Sequence, residues 1–281
     1  MKRIIKNILA MIALGTVLTS CSSNEDTPAT DELAGINKFK EIVNDTHTIE
    51  LYSHMTVEQG YNEIKIRIKD NANSNYVKNA EVSWTPLMHM SMMTHSCPKS
   101  AVEKVTPNGT LYEGYIVFQM PQNDMEYWDL KIDYTINGTS YTATTTIDVP
   151  ESTERRVNTF TGSDGEKYIV AYAEPHHPKV SVNDMIVGIF KMQDMMHFPV
   201  VDGYTLKIDP RMPSMGNHGS PNNVDAVQQK AGELYTGKMA LTMTGYWKIN
   251  LQLVKPDGTV VKGESITDSV TESSLYFDFE F

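Results

Sequence analysis

Alternation of apolar and polar residues runs through most of this chain. Ile64, Ile66 and Ile68 alternate with Lys65, Arg67 and Lys69, and Leu130, Ile132 and Tyr134 alternate with Lys131 and Asp133. Tyr115, Val117 and Gln119 interleave with Ile116, Phe118 and Met120. A period of two sends successive side chains to opposite faces, so these runs predict β-strands. Asn137-Gly138 lies between two such runs and is a strong hairpin signal, and Asp164-Gly165 and Asp257-Gly258 look similar. Closely spaced strands with turn residues between them predict an all-β sandwich architecture. One brief helix is expected, around Asn223 to Ala231.

The chain also repeats itself. Leu111-Tyr112-Glu113-Gly114 returns as Leu234-Tyr235-Thr236-Gly237, an offset of 123 residues. At that offset Met92 meets Met215, His95 meets His218 and Pro98 meets Pro221. One residue further on, Pro86 meets Pro210 and Met88 meets Met212; after a short deletion Tyr127-Trp128 meets Tyr246-Trp247. Asn62 meets Asn183 ahead of alternating strands. A period of this length fits two whole sandwich domains in tandem, with repeats near 45–149 and 166–281 and Pro150 to Arg156 between them. Domain spans of 45–150 and 151–281 are expected. Trp128 and Trp247 read as core anchors.

The first residues follow a different pattern. Lys2, Arg3 and Lys6 precede an apolar run, Ile8 to Leu18, that is too short for a permanent membrane span. Leu18-Thr19-Ser20-Cys21 then matches a bacterial lipobox, which predicts a signal peptide over 1–20 and a lipid on Cys21. Residues 21–44 are expected to form a lipidated tether, polar and acidic over 22–34. Asn24-Glu25-Asp26 resembles the acidic export signal of surface lipoproteins in Bacteroidota. The expected location is the cell envelope, lipid-anchored at the outer membrane and surface-exposed, with the membrane as a partner through Cys21.

Charge narrows the partners. Taking Lys2, Arg3 and Lys6 from the 24 basic residues leaves 21 against 35 acidic ones, a balance of −14. Nucleic acid is therefore not expected as a partner, because phosphate contacts need a basic surface. Besides Cys21 there is one further cysteine, Cys97, so no internal disulfide is expected in the processed chain. Gly-x-Ser-x-Gly, His-Glu-x-x-His, Cys-x-x-Cys and Gly-rich phosphate loops are all absent. The chain is read as a non-enzyme.

Methionine changes the picture. The sequence holds 17, clustered at 88–93, 192–196 and 212–215. Repeat one runs Pro86-Leu87-Met88-His89-Met90-Ser91-Met92-Met93-Thr94-His95-Ser96-Cys97-Pro98, and repeat two runs Pro210-Arg211-Met212-Pro213-Ser214-Met215-Gly216-Asn217-His218. Thioethers are soft, neutral donors that suit Cu(I), and imidazole adds a stronger donor. The candidate copper ligands are Met212, Met215 and His218 in repeat two, and Met88, Met92 and His95 in repeat one, with Met90 and Met93 in reserve. Methionine is also a flexible core filler, so packing stands as the other reading. Met192 to His197 is either a copy-specific metal patch or an apolar loop tip. His176-His177, His54 and Cys97 are weaker additions to a site.

Val182-Asn183-Asp184, Pro210-x-Met212-x-x-Met215-x-x-His218, Gly237 and Gly245-Tyr246-Trp247 together resemble the YtkA-like and FixH-like domains of bacterial envelopes. The first repeat looks like a diverged copy. The resemblance implies immunoglobulin-like sandwiches that handle copper or deliver it to a copper-receiving envelope protein. The reading from a different class is a surface-exposed module that binds glycans or proteins through its loops, without metal.

Changing Cys21 to Ser is expected to abolish lipid attachment and move the chain from the membrane to the soluble fraction. Intact mass and fractionation check this, and unchanged membrane retention without a lipid adduct would refute it.

Overall fold

A computed structural model describes residues 32–281; the expected signal peptide, Cys21 and the first part of the expected tether lie outside the described residues. The chain folds as two tandem immunoglobulin-like β-sandwiches. The first contains β1 (Asn37–Val43), β2 (His47–Ser53), β3 (Gly60–Asp70), β4 (Glu81–His89), β5 (Thr94–His95), β6 (Glu103–Lys104), β7 (Leu111–Phe118), β8 (Tyr127–Ile136) and β9 (Thr139–Ile147). Its two sheets run β1-β2-β3-β7-β6 and β5-β4-β8-β9. The second contains β10 (Val157–Thr161), β11 (Lys167–Glu174), β12 (Val182–Lys191), β13 (Thr205–Met212), β14 (His218–Gly219), β15 (Val224–Gln228), β16 (Tyr235–Ala240), β17 (Tyr246–Val254), β18 (Val260–Lys262) and β19 (Tyr276–Glu280).

The second sandwich repeats the first strand for strand. Its order β10-β11-β12-β16-β15 copies β1-β2-β3-β7-β6, and β14-β13-β17 copies β5-β4-β8. The last strand is divided. Trp128 pairs with Ile147 of β9, whereas Trp247 pairs with Phe279 of β19, and β18 supplies the hairpin partner nearer the turn. A further pairing of β15 with Thr205 and Leu206 joins the second copy's sheets into one.

Alternation explains the strands. In β3 the side chains of Ile64, Ile66 and Ile68 are fully buried. Between them Lys65 faces outward and pairs with Glu63 at 3.1 Å and Glu113 at 2.6 Å. Each sandwich has its own core, one built on Trp84, Met88, Trp128 and Ile132, the other on Tyr168, Met212, Trp247 and Phe277.

Repeated residues make repeated bonds. Asn62 donates to the carbonyls of Glu58 and Gly60 and accepts from the Glu58 amide. Asn183 does the same with Lys179, Ser181 and the Lys179 amide. Tyr112 accepts from the Ala80 amide, and Tyr235 from the Tyr204 amide. The shared Leu-Tyr-x-Gly sequence has a steric cause. A Cβ on Gly114 would lie 2.7 Å from the Ala101 carbonyl, and one on Gly237 would lie 2.7 Å from that of Val224.

Two expectations are corrected. Asn223 to Ala231 is not helical: Val224–Gln228 is strand β15, hydrogen-bonded to β16 and β13. A short segment gains little from an isolated helix, and here two neighbouring strands offer backbone partners. The tether expected over 21–44 is also too long. Asn37–Val43 pairs with β2, and the Glu32 carboxylate accepts from the Thr110 amide at 2.9 Å and its hydroxyl at 2.5 Å.

The sandwiches share a third apolar cluster. Val117, Ile169, Ala171, Phe190 and Phe198 are buried in it, with Tyr61, Tyr115 and Met192 packed alongside. Tyr115 lies 6.2 Å from Phe190, ring to ring.

Asn183→Ala is expected to destabilise the chain by about 1–3 kcal/mol, because it leaves buried backbone groups without a partner. Urea unfolding measures it; a loss under about 0.5 kcal/mol would mean that the turn does not need this side chain.

Candidate functional site

The Met/His segments occupy one structural position in both sandwiches. Each is the hairpin that follows the strand opposite the core tryptophan. In the first copy Met88 of β4 sits across from Trp128 of β8 and, on its other side, from His95 of β5. In the second copy Met212 of β13 sits across from His218 of β14. Directly opposed residues in an antiparallel pair carry their side chains on the same face, with Cβ atoms about 4.5–5.5 Å apart. The fold therefore sets one methionine opposite one histidine in register in each copy.

His95 is buried and its ring is oriented. Its Nδ1 donates to the Ser96 carbonyl at 2.7 Å, and its ring meets that of Trp128 edge-on at 5.7 Å. A carbonyl can only accept, so Nδ1 carries a proton, and Nε2 is the nitrogen left to bind a metal in the neutral ring. Metal-binding histidines are commonly held in this way by a partner on the other nitrogen. His89, between Met88 and Met90, is committed elsewhere: Nε2 lies 3.0 Å from an Asp129 oxygen and the ring stacks on Tyr127.

The remaining methionines of the first hairpin diverge. Met88 is fully buried and Met90 packs partly against the same core. The chain reverses between Met90 and Met93, whose backbone groups bond at 2.9 Å, and this places Met92 at the exposed tip with Met93 half exposed. Met88 and Met92 thus lie in different surroundings. The set Met88, Met92 and His95 is brought together only in its Met88–His95 part.

The second hairpin is more open. Pro213–Met215 forms a single 3-10 turn, followed by Gly216 and Asn217 in left-handed conformations. Asn217 donates to the Thr271 carbonyl, in the segment between β18 and β19, at 2.9 Å. Met212 is buried in its core, whereas Met215 and His218 face solvent. Gly245 makes room for Met212: its φ is +121°, and a Cβ there would lie 3.2 Å from the Met212 methyl.

The weaker candidates have other duties. Met192 packs in the cluster between the sandwiches, and the Met195 carbonyl accepts from the Ser96 amide at 2.8 Å. Asp194 binds the amides of Met196 and His197 and the His197 ring. That loop docks one sandwich on the other, a role sequence spacing could not reveal. Cys97 is buried in the first core, and burial pushes its thiol well above its ordinary range. It is an inert thiol there and not a ligand. His54 bonds through Nδ1 to the Gly35 carbonyl at 2.9 Å, and His176 pairs with Glu174 at 3.4 Å. Both line a cleft of about 370 Å³ between the sandwiches, with Tyr61, Glu63, Arg156 and Glu174. No sequence motif announces it, because its walls come from both repeats.

Among the described residues no group of three or more His, Cys, Asp and Glu is arranged to hold a metal ion. The donor set of the hairpins is instead thioether plus imidazole. That chemistry fits a soft ion and not Mg²⁺ or Ca²⁺.

No family model matches the chain, and no curated protein matches it. Among solved structures it is similar to the Escherichia coli adhesin FdeC, at 13% identity and a TM-score of 0.21 over 73% of this chain and 57% of that one. It is also similar to a chimeric titin Z1Z2-Z1Z2 tandem, at 13% identity and a TM-score of 0.19 over 79% of this chain and 93% of that one.

Two measurements test this description. Gly245→Ala is expected to cost about 1–3 kcal/mol, by strained backbone and pressure on Met212; unchanged urea stability would contradict it. Cys97 is expected to resist a thiol reagent at pH 8 until denaturant is added, since the folded thiol stays protonated. Prompt labelling of the native chain would show that it is not sealed in the core.

Proposed function

We propose that this chain is a non-enzymatic envelope lipoprotein, anchored through Cys21, that binds copper as Cu(I) on the Met/His hairpins of its two sandwiches. The observation that carries this reading is the recurrence of one cross-strand pair, Met88 with His95 and Met212 with His218, at equivalent places in both copies. Met92 and Met93 in the first copy, and Met215 in the second, are close enough in sequence to close over an ion held by the pair. His95 would bind through Nε2. Bound copper would supply no catalysis here; the chain's residues would hold it and release it to another envelope protein. The resemblance to YtkA-like and FixH-like domains supports the same reading, as does a neutral donor set that allows exchange.

The cleft between the sandwiches favours a second reading, a glycan- or protein-binding surface module. Its volume suits a small ligand, and its walls mix rings, carboxylates and imidazoles.

Anaerobic Cu(I) competition separates the two. The wild-type chain is expected to bind, and Met215→Ala with His218→Ala is expected to weaken the second site by about tenfold or more. Both side chains are exposed, so the fold should survive. Equal, weak binding by wild type and variant would end the copper reading and leave the cleft.

A further inference from the structure

Each hairpin pairs a sheltered thioether with an exposed one. Met88 and Met212 are 0% and 3% exposed, whereas Met92 and Met215 are 93% and 56% exposed. The sheltered sulfurs lie in the two cores with Trp128 and Trp247, away from solvent and its oxidants. The exposed sulfurs meet solvent directly. The chain has no competing thiol in this region, because Cys97 is 1% exposed and its thiol is held protonated. Oxidant chemistry at these ends of the molecule therefore falls on sulfur of methionine.

We propose that Met92 and Met215 are oxidation sites, and that converting them to sulfoxides releases the copper held at their hairpins. The second half rests on the copper reading above. The step is a two-electron oxygen transfer from a peroxide. The thioether sulfur attacks one peroxide oxygen, an S–O bond forms, the O–O bond breaks, and the remaining oxygen leaves as water. Sulfur is oxidised and hydrogen peroxide is reduced, with both protons retained in the water. The sulfoxide is polar and presents oxygen in place of a soft lone pair, so it no longer suits Cu(I). Met88 and Met212 stay sheltered and reduced, so the change leaves the fold intact and is reversible by a methionine sulfoxide reductase. Met125, 77% exposed and outside both hairpins, oxidises equally easily but is not part of the switch.

The test uses the full chain in detergent with limiting hydrogen peroxide. Peptide mass mapping is expected to find sulfoxide first at Met92, Met125 and Met215, with Met88 and Met212 still reduced while circular dichroism is unchanged. Cu(I) competition on the same samples should show affinity falling by about tenfold or more, and returning after treatment with the reductase. Met92→Gln with Met215→Gln should copy the oxidised state, and Met125→Gln should leave Cu(I) binding as it was. Oxidation of Met88 and Met212 at the same dose in the folded chain would overturn the proposed division. So would ordered oxidation that leaves Cu(I) affinity unchanged, or equal losses from Met125→Gln. In those cases the reduced chain still binds and the copper reading stands; if the untreated chain binds no Cu(I), the copper reading itself has failed and the switch with it.

Discussion

A buried indole N–H must find an acceptor, and both sandwiches are organised around that requirement. Trp128 and Trp247 are fully enclosed, and each donates at 3.0 Å to a backbone carbonyl in a loop at the sandwich end, Met120 in one copy and Met243 in the other. Enclosing the ring yields several kcal/mol of apolar burial, of the order of 25 cal/mol per Å². Leaving its N–H unpaired would return a good part of that gain. The loop is therefore held in place by the core. The hairpin opposite the tryptophan is held too, because Met88 is its cross-strand partner and Met212 occupies the same place in the other copy.

This arrangement explains why the methionines have two characters. On the strand, at Met88 and Met212, the flexible side chain fills the core against the tryptophan strand, as methionine commonly does. Beyond the strand end no core remains to fill, and Met92 and Met215 stand in solvent. Buried and exposed methionines are thus divided along the hairpin, the first filling the core and the second facing water. His95 and His218, across from the sheltered methionines, lie on the boundary between the two regions. The first is enclosed and oriented by Ser96, and the second is open to solvent, so the two copies have diverged in access while keeping register.

The copies are also joined in a way that neither contains alone. The outer face of β3 and β7 meets that of β11 and β12 through Tyr61, Tyr115, Ile169 and Phe190. The Met192–His197 loop, which has no counterpart in the first repeat's sequence, extends this contact to Ser96, immediately beside His95. Methionine here serves docking. The polar cleft with His54 and His176 is a product of the same contact, formed where equivalent strand-to-strand turns of the two copies approach.

The sequence by itself determined the all-β class, the duplication and the hairpin positions, because period-two alternation, turn residues and repeated Asn, Tyr, Gly and Trp are local signals with local causes. Asn62 and Asn183 make matching turn bonds, and Gly114 and Gly237 each leave room for a backbone carbonyl at 2.7 Å from where a Cβ would stand, so aligned letters meant aligned chemistry. Burial is not local. The spacing that grouped Met88, Met92 and His95 could not say that the chain reverses at Met90, or that one sulfur enters the core while its neighbour leaves it. Nor could it turn Val224–Gln228 into a strand paired on both sides, enclose Cys97, or bring Met195 to Ser96, since each outcome depends on a partner far away in the chain. Those were decided by tertiary structure, where the competition for buried volume and backbone partners is settled across strands and not along them.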